Sequence, residues 1–249
     1  MELVGTVSLI TGGAVRIGRA ITMALAKAGS HVVIHYRQSA REARELVEQL
    51  CLHGLRASCV RADLSRPSAA ERLVERVRRE VGPVDVLVNN AAVFHKQSWW
   101  DLTPQDLRAE LAVNLESPLA LMVAFARQRR PGVIVNLLDR RIVGYDPSCP
   151  AYELSKKALA EATRAAALAL APDIRVNAVA PGVVLPPPGQ GERYLRDRAG
   201  KIPLGRRIRP EEIADAVMCL IRADSVTGQI LWVDGGQHLL GSAVNLMPT

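Results

Sequence analysis

Paired cysteines are missing from this sequence: Cys51, Cys59, Cys149 and Cys219 lie far apart and form no C-x-x-C. Disulfide frameworks and thiolate metal sites need close, paired spacing, so free thiols in a reducing compartment are expected. The five histidines, His31, His35, His53, His95 and His238, show no ligand spacing either, and no metal site is expected. No secretory leader opens the chain, since Met1-Glu2-Leu3-Val4-Gly5 runs straight into an apolar stretch. No run reaches the roughly 20 apolar residues of a membrane span. A cytoplasmic protein with no membrane partner is the expectation. Internal repeats and low-complexity linkers are absent too.

What is present is near average. Of 249 residues, 49% are hydrophobic and 23% charged, which suits one sizeable globular domain. A formal charge of +7 raises the question of nucleic-acid binding. Yet Arg72, Arg76 and Arg79 stand among Glu71, Glu75 and Glu80, the pattern of a solvated, ion-paired helix face. Nucleic acid is not an expected partner, and part of the positive excess is available to a phosphate-bearing cofactor.

Short apolar runs alternate with helix-length amphipathic segments along the chain. Strands are expected at 7–10, 31–35, 57–60, 84–88, 133–137, 174–179 and 230–233, with helices at 17–28, 40–52, 69–81, 104–129, 152–171 and 210–222. Gly29 and Gly54 fall just past helix ends, and Thr103-Pro104 reads as an N-cap followed by a first-turn proline. Strict alternation with continuous apolar strands implies an α/β, doubly wound parallel sheet with helices on both faces. One domain spans 1–249. The stretch 183–209, rich in Pro, Gly and charge around Pro186-Pro187-Pro188-Gly189-Gln190-Gly191-Glu192, is expected to form a substrate-binding loop.

After the first strand comes Thr11-Gly12-Gly13-Ala14-Val15-Arg16-Ile17-Gly18, leading into a helix. Glycines let backbone amides approach a pyrophosphate, and the helix N-terminus behind them adds positive partial charge. The second strand ends in His35-Tyr36-Arg37-Gln38-Ser39, without the carboxylate that would bond a ribose 2′-hydroxyl. Arg37 suits a 2′-phosphate and Ser39 a further bond, so NADPH (NADP) is expected over NADH.

Tyr152-Glu153-Leu154-Ser155-Lys156 opens a later helix. Tyr152 and Lys156 sit one turn apart on one face, where a nearby ammonium would lower the phenol pKa and make Tyr152 a usable proton donor.

These motifs, with Asp63 after the third strand, Asn89-Asn90-Ala91 after the fourth, Asn114, Pro181-Gly182 and Asp234-Gly235-Gly236, resemble the short-chain dehydrogenase/reductase family over almost the whole chain. The resemblance implies a Rossmann-type seven-stranded sheet and often a homotetramer built on two long helices. It implies cofactor contacts at Gly12, Arg16, Ile17, Gly18, His35, Tyr36, Arg37, Ser39, Asp63, Leu64, Asn90, Ala91, Pro181, Gly182 and Val183. Asp63 would bond the adenine edge, and Asn89 would lie beside the adenosine ribose. Lys156 would hold the nicotinamide ribose, Asn114 would anchor a proton-relaying water, and Tyr152 would give the proton.

Two departures bear on substrate. Most of the family has a third glycine where Arg16 stands and a catalytic serine where Asp139 stands. An ionised aspartate cannot donate a hydrogen bond to a ketone oxygen. Both departures resemble the pteridine reductase branch, as does the His35–Ser39 segment, and Phe94 matches that branch's pterin-stacking aromatic. The implied reaction reduces a dihydropterin (dihydrobiopterin, dihydromonapterin or dihydrofolate) at C=N. Tyr152 and Asp139 would share the proton, while Arg16 would bridge the cofactor phosphates and the pterin edge. The alternatives are a 3-oxoacyl-thioester or other carbonyl reductase, and a protein that binds NADP without turnover. Phe94 as a core residue and Asp139 in a surface ion pair with Arg140 or Arg141 are the plainer readings of those positions. Trp99 and Trp100 would border the cleft or pack at a helix start. Val183-Val184-Leu185-Pro186 departs from the family pattern in lacking the threonine usual there.

Overall fold

The computed structural model describes residues 1–186, 191, 193 and 202–241. Within 183–209, residues 187–190, 192 and 194–201 lie outside the described residues, so the expected substrate loop is described only in part.

Seven strands appear where the apolar runs stand: β1 (Val7–Ile10), β2 (His31–Tyr36), β3 (Ala57–Arg61), β4 (Val86–Asn89), β5 (Gly132–Leu137), β6 (Ile174–Pro181) and β7 (Ile230–Val233). All pair in parallel, in the order β3-β2-β1-β4-β5-β6-β7. Continuous apolar runs are what a sheet covered on both faces requires. Alternate residues go to opposite sides: Ile10, Val86 and Val88 join one core, and Leu9, Leu87 and Ile134 join the other. Helices α1 (Arg16–Lys27), α2 (Ala40–Leu52) and α7 (Pro210–Arg222) close the first face through Ile21, Leu25, Leu46, Ile213 and Val217. Helices α3 (Ala69–Glu80) and α5 (Ser117–Ala126) close the second through Leu73, Val77, Leu121 and Phe125. The long α6 (Pro150–Ala169) lays Leu159 and Ala160 over Leu138, Ala178 and Ala180.

The punctuation behaves as its chemistry dictates. Gly29 and Gly54 take left-handed φ values of +94° and +73° past α1 and α2. Thr103 caps α4 (Pro104–Leu111) in a reciprocal box with Asp106.

Two expectations are corrected. β4 starts at Val86, not 84, and the backbone of Val84 is taken up by a side chain: Val84 N donates to Gln128 Oε1 at 2.9 Å and Val84 O accepts from Gln128 Nε2 at 3.2 Å. The helix expected at 104–129 is two helices, α4 and α5, joined by a π-turn at Ala112–Glu116 in which Ser117 N reaches back to Ala112 O. Within Pro104–Ala126 an 18-residue window reaches a mean hydropathy of 1.4, which matches a membrane-crossing helix in length and composition alone. Half of that stretch is buried within the fold, with Leu121, Met122 and Phe125 in the core.

Strand order reverses between β1 and β4. In open α/β sheets such a switch point leaves a crevice at the carboxyl ends of the strands. The residues singled out from the sequence gather at those ends.

Candidate active site

The glycine turn is built by close approach. Gly12 has φ +62°, and a Cβ at Gly18 would lie 2.1 Å from Gly12 O, so α1 can pack on the turn only through glycine. Asn90 Nδ2 donates to Thr11 O and Gly12 O at 2.8 and 3.1 Å, and Ala91 N donates to Thr11 Oγ1 at 3.0 Å. These bonds bind the end of β4 to the turn. At the head of α1, Val15 supplies no side-chain cap and the first turn holds no acid. The helix N-terminus is left to an external anion, which is the fit a cofactor diphosphate needs.

Arg16 stands at φ +55°, the conformation a glycine would take without strain. Its guanidinium donates to Pro186 O at 2.9 Å, joining the turn to the first residues of the expected substrate loop. Ile17 packs against the core beside it.

At the end of β2, His35 is 2% exposed. Its Nδ1 accepts from Gly12 N at 3.2 Å and its Nε2 lies 3.1 Å from Ala62 O. Burial lowers its pKa to about 4, so the ring is neutral and braces the turn from behind. Tyr36 O accepts from Ala62 N, fixing β2 against the segment that carries Asp63. Arg37 approaches Asp63 at 3.9 Å with both side chains partly exposed, and Ser39 precedes α2 without making a capping bond. Asp63 accepts from Ser65 at 2.7 Å, a bond that lowers its pKa ahead of the charges of Arg37 and Arg66. It borders a cleft of about 230 Å³ whose walls include Arg61, Arg66, Arg72 and Arg76, while Leu64 is buried nearby in the second core. At the end of β6, Pro181-Gly182 presses against Asp234, where a Gly182 Cβ would meet Asp234 Cα at 2.7 Å. Val183 N donates to Gln237 at 3.2 Å.

Asn89 departs from its expected place beside the ribose. As the last residue of β4 it is 3% exposed and donates sideways to Asn136 at 2.8 Å, and Asn136 in turn donates to Thr163 at 2.9 Å. This is a polar cross-tie within the sheet layer.

The chemical end lies between β5 and α6. Tyr152, in the first turn of α6, donates its hydroxyl to Asp139 Oδ2 at 3.1 Å. Lys156 is buried, gives a hydrogen bond to Leu137 O at 2.8 Å and holds Nζ 5.8 Å from the centre of the tyrosine ring. Burial draws the lysine pKa down to about 8. The sequence implied a lowered phenol pKa, and the structure reverses that. Burial first, then the charge of Asp139, raises Tyr152 well above its ordinary value, with Arg141 opposing. The tyrosine is therefore a firmly protonated donor.

Arg141 is the residue the sequence reading underweighted. Its backbone N–H donates to Asp139 Oδ1 at 2.8 Å, its NH1 is 3.3 Å from each Asp139 oxygen, and its Nε donates to Asp146 at 2.8 Å. Burial would lower its pKa, but the two carboxylates outweigh this and raise it. Asp146 is held down to about 2 by bonds from Ser148 and Arg141 against its own burial. Arg141 also lies 5.4 Å over the ring of Phe94. Phe94 stands edge-to-face with Tyr152, centroids 4.8 Å apart, and is 37% exposed at the cleft instead of sunk in the core. Trp99 and Trp100 are 61% and 97% exposed, so neither is buried at the start of α4.

Asn114 sits in the π-turn, fully buried, exchanging two bonds of 2.9 Å with the backbone of Val93. Its amide also donates to Glu110 at 2.7 Å. Glu110, a second residue missed in the sequence, is a buried acid whose pKa burial raises. No His, Cys, Asp or Glu cluster among the described residues could hold a metal.

The arrangement has relatives. The family model described as enoyl-(acyl carrier protein) reductase matches residues 13–238. "Granaticin polyketide synthase putative ketoacyl reductase 2" of Streptomyces violaceoruber is 36% identical over 247 residues, covering 94% of this chain and 96% of that protein. The L-xylulose reductase of Bos taurus is 35% identical, covering 95% and 98%. Among solved structures, FolM alternative dihydrofolate reductase 1 from Brucella canis, complexed with NADP, superposes with a TM-score of 0.91. It is 36% identical, with 96% of each chain covered.

Proposed function

The chain belongs to the short-chain dehydrogenase/reductase family, and from that premise we propose an NADPH-dependent reductase acting on a dihydropterin such as dihydrobiopterin, dihydromonapterin or dihydrofolate. The cofactor diphosphate binds at the uncapped head of α1, with Gly12, Arg16, Ile17 and Gly18 around it. Arg37 and Ser39 receive the 2′-phosphate and Asp63 the adenine. Asn90, Ala91, Lys156 and the Pro181–Val183 segment complete the cradle. The bound cofactor supplies a hydride.

Tyr152 supplies the proton. The observation that carries the reading is its hydrogen bond to Asp139, the carboxylate standing where most of the family has a serine hydroxyl. The carboxylate orients the phenol and keeps it protonated in the resting site, so the proton is in place for the nitrogen of a C=N bond. The Lys156 ammonium, 5.8 Å from the ring, stabilises negative charge as it develops on the phenolic oxygen. Phe94 offers a flat ring an aromatic platform, worth roughly 0.5–1.5 kcal/mol beyond area burial. Arg16 meets the polar edge of that ring. The protein acts in the cytoplasm as a homotetramer assembled on α5 and α6, whose Leu119, Val123, Leu154 and Leu168 are exposed.

A second reading, 3-oxoacyl-thioester reduction, draws on the family model's description and the ketoacyl reductase relative. NADPH oxidation with 7,8-dihydrobiopterin and with acetoacetyl-CoA separates the two. Turnover of the pterin, reduced about 10²–10⁴-fold by Tyr152→Phe and sharply by Asp139→Ala, is the expected result. Turnover of the thioester alone, unchanged or improved by Asp139→Ser, replaces the first reading with the second. Tight NADPH binding without oxidation of either leaves a non-catalytic binder.

A further inference from the structure

Phe94 is flanked by two residues that are each gripped from the same helical segment. On its N-terminal side, Val93 N donates to Asn114 Oδ1 and Val93 O accepts from Asn114 Nδ2, both at 2.9 Å. On its C-terminal side, His95 N donates to Glu110 Oε1 at 2.8 Å, and His95 Nδ1 lies 2.8 Å from the same oxygen. The two grips are joined, because Asn114 Nδ2 also donates to Glu110 Oε2 at 2.7 Å. Glu110 and Asn114 are one turn apart and buried, whereas the His95 side chain is 64% exposed.

We propose that Glu110 is a positioning residue for the substrate: with Asn114 it clamps the backbone on both sides of Phe94 and so fixes the ring at its edge-on stance against Tyr152. This rests on the reading of Phe94 as the platform for a flat substrate ring. A free loop would let the ring swing, and a stacking partner must be held still to contribute its full attraction. The chemistry of the grip is specific. The backbone amide of His95 and the amide of Asn114 are donors, so a carboxylate satisfies both, and its second contact to Oε1 suits a donating His95 Nδ1–H. The amide of a glutamine would set a donor against a donor at one of these contacts. Burial of an acid at this place is costly unless its oxygens are fully used, and here both are.

The test is a coupling measurement on the holoenzyme. Glu110→Gln and His95→Ala are each compared with Phe94→Ala, and the double variant Glu110→Gln/Phe94→Ala is added. Expected for Glu110→Gln is a rise in KM for the dihydropterin of about tenfold, the scale of a lost stacking contact. Its kcat falls less than about threefold, and KM for NADPH holds steady. His95→Ala, which alters only an exposed side chain, moves KM the same way by a smaller factor. In the Phe94→Ala background, Glu110→Gln adds nothing further to KM. A fall in kcat at constant KM, or equal effects of Glu110→Gln with and without Phe94, overturns the clamp. If the wild-type protein turns over no pterin, the functional reading fails by itself. The clamp is then read from the Tyr152 ring protons by NMR, whose ring-current shift from Phe94 should collapse in Glu110→Gln and would persist if Glu110 had no hold on Phe94.

Discussion

The two ends of the crevice are held in place by different physics. At the cofactor end, β1, the glycine turn and α1 are fixed by backbone: Gly18 packs on Gly12 O, Asn90 donates to two turn carbonyls, and a neutral His35 accepts from Gly12 N. At the substrate end, position comes from buried charge. Arg141 joins Asp139 and Asp146 while lying over Phe94, and Glu110 grips the loop on which Phe94 sits. A backbone-made site tolerates changes of salt but few changes of residue. A charge-made site can be retuned by one substitution, at the cost of stability whenever a partner is left alone. A phosphate-bearing cofactor needs the first kind of site, and a family with many substrates is served by the second.

Removing Arg141 should break the charge-made end hardest. Arg141→Met leaves Asp139 and Asp146 close together without their shared cation, and losing one partner of a buried ion pair costs about 3–5 kcal/mol. Urea denaturation at neutral pH should show a loss of that order, with Tyr152 and Phe94 displaced. A change under about 1 kcal/mol would mean that this end is held by packing instead.

The glycine turn at the cofactor end is backed by a titrating ring, and the sign of its effect is fixed. His35 has a pKa of about 4 in the folded protein against an ordinary 6.5. The unfolded chain therefore takes up a proton between those values that the folded chain refuses. Stability is lost as pH falls from 6.5 toward 4, by roughly 3 kcal/mol over the full shift. His35→Gln should lose less stability than the wild type between pH 7 and pH 4. Parallel losses in the two proteins would remove His35 from the account of acid sensitivity.

Arg16 is where the two regimes meet, and the expected effect is smallest. Arg16→Gly relieves a left-handed φ and should raise stability by about 1 kcal/mol. It also removes the bond to Pro186 O and should weaken substrate binding. A variant that is both less stable and equally good at binding would show that the strain is already compensated locally.

Much of this is legible in the sequence. Parallel strands covered on both faces must be continuous apolar runs, so all seven strands could be placed, and Gly12, Gly18, Tyr152 and Lys156 announce themselves by type and spacing. Arg141 and Glu110 do not. Each is one charged residue among many, and its meaning lies in partners such as Asp146 and His95 whose closeness only the folded chain creates. Asn89 misled for the opposite reason: its place in a motif suggested a ribose, while its position as the last residue of β4 turned its amide toward Asn136. The joint between α4 and α5 left no trace either, since Ala112-Val113-Asn114-Leu115-Glu116 reads as plain helix.

That joint carries a consequence of its own. A π-turn is an α-helix with one residue too many, and each residue advances a helix by about 100°. The surplus residue therefore acts as a phase shifter between a stretch that serves Phe94 and a stretch that serves the core. Deleting a single alanine at 112 would restore a regular helix and rotate everything on one side of it by about that angle. Either Leu121 and Phe125 would leave the core, or Glu110 would let go of His95. The helix has two incompatible clients, and one residue of slack lets it face both.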